Sequence, residues 1–228
     1  MMKLQNSTAV ESLYRSVGWA AIICGIIGFL AFGFLAAFLN LHLTEHLRDG
    51  ILIRSHDVCV ILQFLLMIPV VFGLYKLSYQ RSPGMSRATL VTGVATLSFT
   101  VLFLLLIFPK ILNDTLYMFP QGVFGVWLIV VSWRMRGVLT RGLRWFGMVV
   151  GFGLALVGTF PSGMAIFVPW YTLGTPPAIP AVTPEVSTGV HLADNLFHQF
   201  LLIGTFIGVI TLPIYTILLG TRFLRKTN

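Results

Sequence analysis

Long apolar segments alternate with short polar ones along the whole chain. Breaking the sequence at its charged residues leaves windows that each hold at least the roughly 18 to 20 residues needed to cross about 30 Å of hydrocarbon as a helix. These windows are 16–41, 58–75, 88–109, 115–133, 145–184 and, interrupted only by His198, 195–221. The fifth is too long for one span, but its later part, YTLGTPPAIPAVTP, is rich in proline and is predicted to be a loop. The pattern therefore predicts six transmembrane helices.

The composition supports this fold class. Hydrophobic residues make up 57% of the 228 residues and charged residues only 10%, whereas about a quarter of the residues of a soluble domain are charged. We therefore predict an all-α membrane protein, a six-transmembrane-helix bundle that forms one integral membrane domain over residues 1–228. Its spans are expected at about 16–41, 58–76, 88–109, 115–133, 145–170 and 194–221.

The positions of the charges predict the orientation. With six spans, the N-terminus, the second and fourth connections and the C-terminus share one side, and this side holds twelve of the fifteen lysines and arginines. They are Lys3, Arg15, Lys76, Arg81, Arg87, Arg134, Arg136, Arg141, Arg144, Arg222, Arg225 and Lys226. The positive-inside rule then places both termini in the cytoplasm (N-in/C-in), with the chain multi-pass in the plasma (inner) membrane. The net charge of +8 is thus a feature of topology, and the predicted partner is the lipid bilayer and not nucleic acid.

The turn between the fourth and fifth spans carries a resemblance. The sequence GVWLIVVSWRMRGVLTRGLRWFGMVVGFGLALVG, within residues 122–158, resembles a segment of uncharacterised six-helix bacterial membrane proteins of the domain-of-unknown-function type. The resemblance covers about a sixth of the chain. It implies a bacterial source and transfers no functional residue.

Histidines and acids concentrate on the predicted outer face. If the first helix continues to about Gly50, then His42, Glu45, His46 and Asp49 share one helical face at i, i+3, i+4 and i+7. His191, Asp194 and His198 share one face of the sixth helix in the same way. Two such faces can supply the nitrogen and oxygen ligands of a zinc or copper site, for which we consider His42, Glu45, His46, His56, Asp194 and His198. The alternative is that these residues form solvated interfacial turns, or a pH-responsive face without a metal.

The string HLTEH, residues 42–46, also matches the H-x-x-E-H motif of the inverted zinc proteases. In those enzymes the motif belongs to a large soluble fold with a further ligand downstream, and neither is identifiable here. The match is therefore weak support for an enzyme.

Prolines in the second and fifth spans predict irregular helices. Pro69 and Pro161 each remove an internal hydrogen bond, and the two helices correspond if the halves of the protein form an inverted repeat. Carriers place their sites at such interrupted helices. A small-molecule pocket between the two spans, lined by Gln63, Pro69 and Pro161, is the expectation.

The missing motifs narrow the functional classes. No window has a charge near the middle of the membrane, which disfavours an ion-driven transporter, and axial haem ligands within the spans are lacking. Redox CxxC pairs, phosphate-binding glycine loops and acyl-transfer triads are also lacking. The sequence favours a module without catalytic activity, either binding a lipid or small molecule or serving as an accessory subunit of a larger membrane complex. The alternative is a metal-binding protein or metal-dependent membrane enzyme with its site on the outer face.

Overall fold

A computed structural model describes residues 2–41, 49–81, 86–107, 115–136, 139–167 and 195–225, and the regular elements of this part of the chain are helices. They are α1 (Met2–Leu41), α2 (Asp49–Arg81), α3 (Arg87–Ile107), α4 (Met118–Arg134), α5 (Arg141–Phe167) and α6 (Asn195–Leu224). The all-helical fold class is therefore confirmed.

Five of these helices contain a segment long and apolar enough to cross a membrane. The segments are Ser12–Phe38 in α1, Gly50–Lys76 in α2, Arg87–Ile107 in α3, Arg141–Ile166 in α5 and Asn195–Leu224 in α6. Helix α4 is equally apolar but has only 17 residues. The helices are those of a multi-pass membrane protein.

The six helices form a closed ring in chain order. Each packs against its neighbours in the sequence, and α6 packs against α1. Neighbours run antiparallel, as the contacts of α1 show: Val17 contacts Gly73 near the end of α2, while the Ala31 carbonyl meets His56 near its start. The first and last helices are therefore adjacent, which the sequence had left open.

Apolar side chains lie both inside the ring of helices and on its outer surface, as expected for a bundle in a bilayer. The inward side chains form a continuous apolar core to which all six helices contribute, with Phe64, Phe124 and Tyr215 almost fully buried. Large apolar side chains such as Phe152 and Leu202 stay exposed on the outside. Large apolar side chains are stable in contact with the hydrocarbon of a bilayer, whereas a soluble monomer rarely exposes so many of them.

Glycines let the backbones of α4, α5 and α6 touch. A Cβ atom built on Gly122 of α4 would lie 2.5 Å from the Cα of Gly158 in α5, and the reverse distance is also 2.5 Å. A Cβ on Gly153, on another face of α5, would lie 2.2 Å from the backbone nitrogen of Gly208 in α6. Such contacts hold membrane helices together through close packing, because lipid supplies no hydrophobic driving force between helices.

The boundary between α1 and α2 differs from the prediction. Asp49 and Gly50 are the first two residues of α2. Gly50 therefore does not end the first helix, and Asp49 does not belong to the polar face predicted for the first helix. Helix α2 thus begins nine residues before the apolar window at 58. The reason is that a helix can extend beyond the hydrocarbon into the interface, where Arg54 is exposed to water.

The sixth helix is irregular at a position where no irregularity was predicted. Helices α2 and α5 continue through Pro69 and Pro161, whereas α6 contains a π-helical turn at Thr205–Val209. There the amide of Ile210 donates to the carbonyl of Thr205 over 3.1 Å. Pro213 lies four residues after Val209 and has no N–H to donate to the Val209 carbonyl, which favours a change of hydrogen-bond pattern just upstream.

The ends of the bundle carry different charges. One end, which we call the basic end, is where α1, α3 and α5 begin and where α2, α4 and α6 end. Its described basic side chains are Arg15, Lys76, Arg87, Arg134, Arg136, Arg141, Arg144, Arg222 and Arg225. At the opposite end the described helices carry Arg54, Asp57 and His56.

Candidate functional site

The predicted metal ligands fall largely outside the described part of the chain. His42, Glu45, His46 and Asp194 lie outside the described residues, and so does the loop before α6. His56 and His198 are described. Only these two members of the predicted set can be placed.

His56 holds α2 against α1. Its side chain is buried, and Nδ1 donates a hydrogen bond of 2.9 Å to the carbonyl oxygen of Ala31. Because a carbonyl only accepts, the proton of this bond lies on Nδ1. The bond is sufficient to explain a buried histidine between two apolar helices.

His198 lies at a different helix contact. Its ring is exposed at the start of α6 and packs edge-on against Phe160 of α5, with 5.1 Å between the ring centroids. The two described histidines therefore belong to the α1–α2 contact and the α5–α6 contact. Within the described part of the chain, no three histidines, cysteines or acids come together as a metal site, and the six-residue metal site stays a prediction.

The residues of the predicted proline pocket are in different places. Gln63 is buried beside Gly28 of α1, where an added Cβ would lie 2.6 Å from the Gln63 amide nitrogen and 2.6 Å from the ring of Pro213. Pro69 is exposed on the outside of α2, and Pro161 is buried in α5. Helices α2 and α5 are not packed together among the described residues, so the structure does not bring these three residues to one place.

An open cavity of about 650 Å³ lies between α5 and α6 at the basic end. We call it the basic-end cavity. Its lining is Thr140, Gly142, Leu143 and Phe146 from the start of α5, and Leu218, Thr221, Arg222 and Arg225 from the end of α6. The volume is within the range of sites that bind a small molecule or part of a lipid.

The turn before α5 positions one wall of this cavity. Met135 and Leu139 are buried under the bundle, and the amide of Leu139 donates to the carbonyl of Met135 over 3.3 Å. The turn is thus anchored by apolar side chains. The next residue, Thr140, accepts the first hydrogen bond of α5, from the amide of Arg144 over 3.0 Å, which fixes where the helix begins.

Helix spacing positions the other wall. Leu218, Thr221, Arg222 and Arg225 recur at intervals of three and four residues, so they share one face of α6. The cavity lining contains two arginines and no acidic residue. It therefore offers an anion a positively charged mouth above an apolar floor.

This cavity was not predicted from the sequence. The arginines were used there only to orient the chain, because nothing in the sequence showed that the end of α6 lies beside the start of α5. The available signal was the pair Arg222 and Arg225, three residues apart at the end of a span, together with Thr140 and Gly142 at the start of another.

A second cavity lies on the outside of the α4–α5 contact. It measures about 360 Å³, and its lining includes the small residues Gly122, Ala155, Gly158 and Gly163. Phe119 and Phe197 close its ends. The lining is mostly apolar and carries no charged side chain; its hydroxyls, on Thr159 and Ser162, donate to carbonyls of their own helix.

Comparisons with family models, with curated proteins and with solved structures found no match for the chain. The argument for function therefore rests on the sequence and the geometry.

Proposed function

We propose that the protein is a membrane-embedded binding module without catalytic activity, and that it binds an amphiphilic ligand, a lipid or a small molecule, in the basic-end cavity. The observation that supports this is the division of the cavity lining into a polar mouth and an apolar floor. A ligand with the same division can satisfy both parts, whereas a purely polar or purely apolar ligand leaves one part unmatched.

The lining favours binding over catalysis. Its polar side chains are two threonines and two arginines, and it lacks the histidine, cysteine or carboxylate that would activate a threonine hydroxyl as a nucleophile. The threonines and arginines suit recognition of a headgroup.

We further propose six membrane spans with both termini in the cytoplasm, in the plasma membrane. Helix α4 is the span in question, since its 17 residues reach about 26 Å at 1.5 Å per residue. It lies between two membrane-length helices in the ring and exposes Val126 and Val130. The concentration of arginines at one end of the bundle supports the orientation. The outer surface is covered by lipid or, in part, by other membrane subunits.

The proposal is tested by measuring lipid retention on the purified protein. The protein is released from nanodiscs of equal parts phosphatidylcholine and phosphatidylglycerol, and native mass spectrometry counts the lipids that stay bound. Gly142 lines the cavity, and an added Cβ there meets nothing within 4 Å. The variant Gly142→Trp therefore introduces a large side chain at the cavity lining. We expect the parent protein to retain at least one lipid and this variant to lose it.

The matched control is Gly50→Trp. Gly50 is also the second residue of its helix, and a Cβ there also meets nothing within 4 Å, but it lies at the opposite end of the bundle. Equal lipid retention by the parent protein and Gly142→Trp would contradict the proposed function.

A further inference from the structure

We propose that the ligand of the basic-end cavity is an anionic phospholipid, whose phosphate is bound by Arg222 and Arg225 and whose acyl chain lies on Phe146 and Leu218. This inference rests on the proposed function and specifies the ligand of the same site. Four observations carry it.

The two arginines line the cavity from one face of α6. They are three residues apart, a spacing that places side chains on the same side of a helix, and both border the cavity. A guanidinium presents several N–H donors in a fixed plane and binds phosphate oxygens in pairs. Two guanidinium groups at one opening can both bind the oxygens of a phosphodiester, and together they more than balance its single negative charge.

The start of α5 adds backbone donors. The first N–H groups of a helix have no partner within the helix and attract anions. Gly142 is the second residue of α5, it lines the cavity, and a Cβ there would meet no atom within 4 Å. A headgroup can therefore approach the backbone of this turn directly.

The end of α6 opposes this attraction, so the charges have to be compared. A helix C-terminus carries about −0.5 of an elementary charge and a helix N-terminus about +0.5. The partial charges of these two helix ends therefore nearly cancel at the cavity. The two arginines remain as the charged side chains of the lining, which contains no acidic residue, and this favours an anion over a zwitterion or a neutral headgroup.

The order of residues along the two helices favours a lipid over a free phosphate. Going into the bundle from the basic end, α5 presents Thr140 and Gly142 before Phe146, and α6 presents Arg225 and Arg222 before Leu218. The polar residues thus lie outermost and the apolar residues deeper on both walls. This is the arrangement of a phospholipid at an interface, with its headgroup outward and its chain inward. Basic pockets between transmembrane helices bind anionic headgroups in this way.

Thr221 has a restricted role in this site. Its hydroxyl donates a hydrogen bond of 2.9 Å to the carbonyl of Leu218 one turn earlier. The only hydroxyl proton is therefore used within the helix, and the oxygen can accept but not donate. The phosphate is bound by the arginines and the backbone of α5, while Thr221 can accept a hydrogen bond from a headgroup hydroxyl.

The experiment measures which lipid is retained. The full-length protein is exchanged into nanodiscs of equal parts phosphatidylglycerol and phosphatidylcholine, and native mass spectrometry gives the ratio of the two bound lipids. We expect phosphatidylglycerol to dominate in the parent protein. Each of Arg222→Gln and Arg225→Gln should lower this preference about fivefold, and the double variant about twenty-five-fold.

The control is the double variant Arg87→Gln, Arg136→Gln. These arginines are exposed at the same end of the bundle but do not line the cavity, so the net charge changes equally. We expect the control to keep the parent's preference. If it loses as much preference as the cavity variant, the effect is general surface charge and the inference is wrong. Folding of each variant is checked by the protection of the buried Cys24 thiol from maleimide.

Three further outcomes separate the inference from the proposed function. If the parent retains both lipids equally and Gly142→Trp loses both, the anionic specificity is wrong and the proposed function stands. If Gly142→Trp changes neither lipid, both are wrong. If inorganic phosphate alone stabilises the detergent-solubilised protein through the two arginines and displaces the retained lipid, the site takes a free phosphate compound and the lipid assignment is overturned.

Discussion

The close contact between α4 and α5 leads to a quantitative prediction for Gly122→Ala. The new Cβ would lie 2.5 Å from the Cα of Gly158 and 3.1 Å from its nitrogen. Both neighbours are backbone atoms, which cannot rotate away as a flexible side chain would. Restoring ordinary contact requires the helices to move apart by about 1 Å, and a gap of that size removes roughly a quarter to a half of the attraction at each contact.

The expected loss of stability is about 2 to 3 kcal/mol, the upper part of the range for overpacking. The matched control is Gly33→Ala in α1, where an added Cβ meets no atom within 4 Å. There the only effect is the better helix propensity of alanine, a gain of about 0.5 to 1 kcal/mol. The two chemically identical changes should therefore differ by about 3 kcal/mol.

The chain contains a suitable reporter for this measurement. Cys24 has no exposed surface, and its thiol donates to the carbonyl of Gln63 across the α1–α2 contact. In a Cys59→Ala background, the reaction of this single thiol with a fluorogenic maleimide follows unfolding on heating or in denaturant. Helix α1 does not contact α4 or α5 among the described residues, so the thiol reports unfolding of the bundle and not a local opening. If the two glycine variants unfold together with the parent protein, the reasoning from close contact is refuted.

Three other predictions address the topology, His56 and the metal alternative. A cysteine placed at Pro180 should react with impermeant reagents from outside the cell, and labelling only from the cytoplasmic side would overturn the six-span assignment. His56→Leu should cost about 1 to 2 kcal/mol in the thiol assay, because the Ala31 carbonyl loses its donor; an unchanged stability would contradict a structural role for this bond. The metal alternative predicts one zinc or copper ion per chain that is lost in His42→Ala, His46→Ala, and protein that is metal-free after gentle extraction would count against it.

The helices themselves were predictable from sequence, and the reason is physical. Lipid leaves no alternative to a helix for an isolated apolar segment, since every backbone N–H and C=O must be paired inside the segment. Helix ends were less predictable. The charges at Arg54 and Asp57 limited the apolar window, but α2 begins at Asp49, because helical hydrogen bonding does not end where the hydrocarbon ends.

The candidate site was not predictable, because it depends on which helices are neighbours. The basic-end cavity combines Gly142 with Arg222, residues that are far apart in the chain and that meet only because α5 and α6 pack together. The sequence analysis looked instead for residues at helical spacing within one segment. That approach identifies a face of a helix, such as the one carrying His198. It does not identify the residues of the neighbouring helix that this face contacts, which for His198 include Phe160.

The π-helical turn was missed for a similar reason. Irregularity was predicted at the prolines inside α2 and α5 and not in α6, where the π-helical turn lies. In α6 the proline acts together with the close approach of Gly208 to Gly153.

The closed ring has a consequence for biosynthesis. Helix α1 is inserted first and can pair at once with α2, but its other side, with Gly18 and Gly25, fits against the end of α6, which is made last. That side of α1 must therefore remain in lipid, without its protein partner, while the four helices between them are synthesised and inserted. Completion of the bundle is a single late event, the docking of the last helix between the first and the fifth. A chain truncated before α6 would lose the contacts of two helices at once, and with them the cavity at the basic end.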